Sequence, residues 1–171
     1  MLKYRLMIVT LLVAVLTLSI SAASWYLQLN LRMALEHVQE SGVEGNAALA
    51  SAQDAMWKLR FGVSQYAGTT DPAAREKIVN DSPEQFRQMD QSIIQFSKTA
   101  LDEETRRALE EFRSAYGPYQ TDRPQWLSLM QQGKTEEAKD FRARTILLSG
   151  AASVKSLNKL IEIQTKRNEQ A

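Results

Sequence analysis

One uninterrupted helical run, Leu6 to Tyr66, constrains this chain more than any other feature. Its first part, Leu6 to Leu27, is 22 residues without a charge, a proline or a glycine. At ~1.5 Å per residue such a helix crosses the ~30 Å hydrocarbon core of a bilayer. The run then turns amphipathic without a stop. Leu31, Leu35, Val38, Gly42, Gly45, Leu49, Ala52, Met56, Leu59, Val63 and Tyr66 alternate in steps of four and three, a heptad seam with a small or apolar residue at every a and d position. An apolar helix continuing as a coiled-coil-like helix predicts a membrane-anchored stalk rather than a soluble enzyme.

Composition narrows the function classes. With 171 residues there is room for one domain beyond the apolar segment. Lys and Arg (21) balance Asp and Glu (20), which gives no case for a nucleic-acid partner. The absence of cysteine excludes a disulfide scaffold, thiolate metal sites, c-type haem and a cysteine nucleophile. The single histidine, His37, argues against a His-based triad or a multi-histidine metal centre. No nucleophile–base pair, phosphate loop or convergent carboxylate pair stands out. The sequence therefore predicts no catalytic residues, no metal, no cofactor and no enzyme.

The N-terminal segment has two readings. As a cleavable signal peptide it would use Lys3 and Arg5, an apolar stretch from Leu6 to Leu18, and Ser21-Ala22-Ala23 as the cleavage site. As an uncleaved membrane helix it needs no breaker before that site, continues apolar past it, and carries Trp25 and Tyr26 where an interfacial aromatic belt belongs. The second reading is preferred. Lys3 and Arg5 then keep the N-terminus cytoplasmic, and residues 28–171 lie outside.

Further along, Asp71-Pro72 opens a second helix as cap and N1 proline after a turn at Gly68, which suits a left-handed C′ position. Asn80-Asp81-Ser82-Pro83 predicts a break, with Ser82-Pro83-Glu84-Gln85 restarting the helix as a capping box. Phe86, Met89, Ile93, Phe96 and Ala100 keep the three-four spacing. Asp102 caps a third helix whose seam is Leu109, Phe112, Tyr116, Tyr119, Arg123, Trp126 and Met130, with a kink or non-helical step expected at Gly117-Pro118 and Pro124. Thr135 is expected to cap a fourth helix with its seam on Ala143, Leu147, Gly150, Val154, Leu157 and Ile161. No stretch alternates with period two long enough for a sheet. Four helices with short connections predict an all-α, antiparallel up-down-up-down bundle. The first helix also carries Val43, Ala47, Ala50, Trp57 and Phe61 on a second face, roughly 150° from the seam. The Trp57/Phe61 patch predicts a homodimer packed along this helix.

In this order of parts the chain resembles the periplasmic four-helix-bundle sensor domain of methyl-accepting chemotaxis proteins. The resemblance spans essentially the whole chain. It rests on the membrane helix running into helix one, Asp71-Pro72, the Phe112-x3-Tyr116-x2-Tyr119 seam, and the Gly133-Lys134-Thr135-Glu136-Glu137-Ala138 turn. It implies a receptor of the bacterial inner membrane with one span in this chain, a periplasmic sensor, and a second span and signalling region downstream of the polar Glu169-Gln170-Ala171. The stimulus would be a small solute or a solute-binding protein. The same module stands ahead of histidine kinases and diguanylate cyclases, which remain alternative outputs. A membrane-anchored or secreted helical interaction protein without a small ligand is a third possibility.

Register predicts where a ligand sits. Arg60 lies 8 residues below the tip at Gly68, and Arg142 and Arg144 lie 7 and 9 beyond Thr135, so all three fall in one layer; Arg123 counts into it as well. In the chemoreceptor family acidic amino acids bind in this zone through helix-one arginines and polar residues at the start of helix four. Carried over by position, Arg60 matches a helix-one arginine, and Arg142 and Thr145 match the helix-four contacts. The family's aspartate-type set of three helix-one arginines is missing, which counts against amino-acid recognition of the family's kind; a carboxylate, as an organic acid or amino acid, stays the candidate ligand class because guanidinium forks suit carboxylates. The competing reading is ordinary ion pairing of these arginines with Asp81, Asp122 and Asp140. Tyr116, Tyr119 and Trp126 read first as core.

Overall fold

A computed structural model describes residues 2–99 and 101–170; ahead of residue 42 the side chains described are those of residues 19, 21 and 24–28. Every regular element among the described residues is helical: α1 (Leu2–Gly68), α2 (Pro72–Ser97), α3 (Glu103–Gln131), and a fourth rod in three pieces, α4 (Thr135–Phe141), a π-helical turn (Arg142–Ile146) and α5 (Leu147–Gln170). Two compact units emerge, Met1–Glu40 and Ser41–Ala171. The first unit is helical from Leu2 onward. Most of the apolar stretch from Leu6 to Leu27, together with Leu31, Leu35, His37 and Val38, lies outside the described side chains. Among the described residues no helix is long and apolar enough to cross a membrane.

The second unit is the antiparallel four-helix bundle, and its pairings run in opposite directions along each neighbouring pair. Against α1, Ser51 meets Ser92 (Oγ to Oγ, 2.8 Å) and Gly62 meets Ile78 on α2. On the other side Gly45 faces Gln164, and Gln53 donates to Asn158 of α5. Between α3 and α5, Ser153 donates to the Ala115 carbonyl and Lys159 pairs with Glu111 at 2.6 Å. The expected α1 seam is the core: Leu49, Ala52, Met56, Leu59, Val63 and Tyr66 are all buried. Met89, Ile93 and Phe96 of α2 meet Leu109, Phe112, Tyr116, Tyr119 and Trp126 of α3 in the same cluster. Burying such side chains contributes about 1.5–3 kcal/mol each, so the seams suffice to hold the rods together.

Several local expectations change. Asp71 does cap α2, accepting from the Ala73 amide, and Asp102 caps α3, accepting from the Thr105 amide at 2.8 Å. But α2 runs unbroken through Pro83, and α3 through Pro118 and Pro124. All three prolines sit on exposed faces. A carbonyl released by the missing N–H on that side meets water, which blunts the usual penalty. Ser82 is accordingly no cap; its hydroxyl donates to the Ile78 carbonyl inside the helix. Gly68 does not adopt a positive φ. Gly133 does, at φ 73°, completing a Schellman turn in which Lys134 N–H donates to Leu129 O and Gly133 N–H to Met130 O. Thr135 is the first residue of α4, and Lys134 holds the cap position without a side-chain bond.

The fourth rod departs most from expectation. Ala143 is exposed and Leu147 is 47% exposed; the buried face is instead Ile146, Gly150, Ser153, Leu157, Leu160 and Gln164. These keep three-four spacing, but Ala138, buried on α4, lies eight positions before Ile146 rather than the seven that two turns require. The π-helical turn takes up the extra residue. Its signature bond runs from the Leu147 amide to the Arg142 carbonyl, five residues back.

Candidate functional site

The π-helical turn lies beside a cavity of about 190 Å³ between α1 and the fourth rod, lined by Trp57, Arg60 and Phe61 from α1, Tyr119 from α3, and Arg142, Ile146 and Leu147 from the fourth rod. Each wall has a local cause. Arg60 is half-buried beside the core seam, its guanidinium 5.5 Å above the Trp57 ring. It comes close to the fourth rod because Gly150 has no side chain there: a Cβ on Gly150 would stand 3.0 Å from Tyr119 Cε2 and 3.5 Å from Arg60 Nε. Arg142 opens the π-helical turn, half-buried, with its Nε buried and unpartnered among the described residues. The Tyr119 ring closes the inner side; its hydroxyl has no partner of good geometry, and burial pushes its pKa up to about 12 although Arg123 and Arg60 pull it the other way.

Charge decides what this arrangement can do. Among the described residues no carboxylate lies within ion-pairing distance of Arg60, Arg142 or Arg123. Asp81, one of the expected counter-ions, pairs with Lys77 instead. Two guanidinium groups thus border one aromatic-walled cavity with no carboxylate partner among the described residues, a donor set whose chemistry suits an anion. Among the described residues no cluster of His, Asp and Glu could hold a metal ion.

Residues 2–171 match the model of a family described as a four helix bundle sensory module for signal transduction. The chain belongs to that family. As a solved structure of similar fold, a periplasmic sensor domain of a sensor histidine kinase superposes with a TM-score of 0.62 at 15% identity, over 74% of this chain and 85% of the other. No curated protein matches by sequence. The sensor class to which the chemoreceptor resemblance pointed is thus the class of this chain.

Within the sensory module the expected site residues divide. Arg60 and Arg142, 82 positions apart, are brought together in the cavity. Thr145 is half-buried in the π-helical turn, its hydroxyl donating to the Phe141 carbonyl at 2.8 Å. Arg144 is exposed, with its Nε donating to the Asp140 carbonyl. Arg123 is fully buried behind the cavity and lines no part of it; its Nε donates to the Leu59 carbonyl at 3.2 Å. The second stripe, Val43, Ala47, Ala50, Trp57 and Phe61, is exposed throughout. Missed in the sequence was Leu147. The π-helical turn rotates it from the core out to the cavity rim beside Trp57 and Phe61. The clue was the eight-residue spacing from Ala138 to Ile146.

Proposed function

We propose that this sensory module is the periplasmic part, residues 28–171, of a homodimeric bacterial chemoreceptor anchored by its N-terminal helix in the inner membrane. Its stimulus would be a small carboxylate, an organic acid or amino acid, held by Arg60 and Arg142. The observation that carries this reading is that two arginines from different helices, neither with a carboxylate partner, line one cavity. A guanidinium fork suits a carboxylate, and the low-polarity walls strengthen the pairing. The exposed Trp57, Phe61 and Leu147 around the rim support a second subunit packing over the cavity's edge. Ligand contacts to Arg142 and Arg60 tie the fourth rod to α1, so differential affinity for two arrangements of these rods would bias the output. The test is thermal stability across a panel of organic acids and amino acids. The wild-type chain should be stabilised by at least one carboxylate, and Arg60→Ala should fold normally and lose that shift. Unchanged shifts in Arg60→Ala would remove Arg60 from the site.

A further inference from the structure

The wall of the Arg60 cavity carries positive charge with nothing negative to balance it. Its polar side chains are Arg60, Arg142, Ser64 and Tyr119, and every other wall residue is apolar. Asp54, the α1 carboxylate nearest to Arg60 in sequence, lies outside the wall and is paired with Lys58. Arg142 Nε is buried and has no partner among the described residues. Two guanidinium groups from different helices therefore share one cavity, and no wall residue offsets either charge.

Acceptors are as scarce as acids. A π-helical turn departs from the regular α-helical bonding and can free carbonyls for a ligand's N–H groups. Here those carbonyls are already used. The Asp140 carbonyl accepts from Arg144 Nε at 3.4 Å, that of Phe141 from the Thr145 hydroxyl at 2.8 Å, and that of Arg142 from the Leu147 amide. The Thr145 carbonyl accepts from the Ser149 hydroxyl at 2.9 Å. An α-ammonium group in this cavity would face two guanidinium groups with only neutral hydroxyls as compensation. Like charges brought together out of water oppose binding, and a desolvated ammonium needs an acid or several acceptors. Size sets the other limit. About 190 Å³ equals about six waters at ~30 Å³ each, well below the ~300–1,000 Å³ of sites for drug-sized ligands. That is the scale of a chain of about four or five carbons, whose methylene groups suit the apolar part of the wall.

Resting on the carboxylate reading of this cavity, we propose that its ligand is a short dicarboxylate without an amino group. One carboxylate pairs with Arg60 and the other with Arg142, and amino acids are rejected for their ammonium. The test is calorimetric titration of the full chain in detergent solution at neutral pH and fixed ionic strength. The ligands form two matched sets: succinate, butyrate and aspartate, then glutarate, valerate and glutamate. The tighter-binding dicarboxylate should exceed both its monocarboxylate and its amino acid by about tenfold or more in affinity. Arg60→Gln and Arg142→Gln should each bring it to within about threefold of its monocarboxylate, because one guanidinium fork remains. The ranking of ligands on the unsubstituted chain does not depend on how the variants fold. An amino acid that binds as tightly as its dicarboxylate overturns the rejection of ammonium. A monocarboxylate that binds as tightly overturns the two-arginine grip, as does a dicarboxylate advantage that survives either substitution. In the first two cases carboxylate recognition by the cavity still stands if Arg60→Gln weakens the ligand concerned. Absence of binding by all six removes the carboxylate reading itself, and this proposal with it.

Discussion

Deleting Ala143 should leave the bundle close to its original stability, whereas deleting Ala152, nine positions later, should nearly unfold it. Both alanines are exposed, so neither deletion removes buried side-chain surface directly. The difference is register. Ala138 and Ile146 are buried at a spacing of eight, and the π-helical turn absorbs the extra residue. Removing Ala143 restores a spacing of seven, lets the turn close as ordinary α-helix, and keeps Ile146, Gly150, Leu157 and Leu160 facing inward. Removing Ala152 from a regular stretch turns everything beyond it by about 100° and draws it back about 1.5 Å. Leu157 and Leu160, 1% and 0% exposed, then leave the core, and Gln164 with them. At about 1.5–3 kcal/mol per leucine the loss is about 3–6 kcal/mol. Against a typical stability of about 5–15 kcal/mol that is a large share. For the Ala143 deletion the expected change is within about 1 kcal/mol, since a π-helical turn costs little but stabilises nothing by itself. Urea unfolding followed by far-ultraviolet circular dichroism measures both. Equal losses for the two deletions would refute the register account.

Gly150→Ala places a methyl group 3.0 Å from the buried Tyr119 ring and should cost about 1–3 kcal/mol by overpacking, partly offset by better helix propensity. Gly117→Ala gains helix propensity, but a Cβ there meets the ring of Pro118, the next residue, in helical backbone, so the net change should stay within about 1 kcal/mol; thermal unfolding of the pair checks both. Asp102→Ala should cost about 1 kcal/mol by removing the α3 cap. The Thr105 amide and hydroxyl, then Arg167, hold the Asp102 carboxyl below its ordinary pKa. A lowered folded-state pKa means that its stabilisation is complete above the unfolded value of about 4 and is lost as pH falls through the folded value. The difference between wild type and Asp102→Ala should therefore shrink below about pH 4 in a pH series of denaturant midpoints.

Much of the fold could be read directly from residue spacing. The α1 seam needed only its four-three alternation, and Asp71 and Asp102 announced their helices through cap chemistry. The prolines misled because their penalty depends on which face they occupy. Pro83, Pro118 and Pro124 are all exposed, and no local pattern said so before the core was assembled. The fourth rod misled for a related reason. Ala143 and Leu147 fitted a heptad seam as well as Ile146 did, and only packing against α3 selects between them. The same ambiguity hid Leu147 from the cavity rim. Arg60 and Arg142 could be placed in one layer by counting residues. Whether they would meet aspartates was not a matter of counting, and Asp81 turned to Lys77, four residues away on its own helix.

The central claim is that the Arg60/Arg142 cavity recognises a negative charge rather than a shape. It is tested most directly by calorimetric titration of the unsubstituted chain with a stimulating carboxylate and with its carboxamide, which has nearly the same size and no charge. Loss of a charge-assisted hydrogen bond is worth about 1.5–3 kcal/mol, so the carboxamide should bind about ten- to a hundredfold more weakly. Equal affinities for acid and amide would contradict the account.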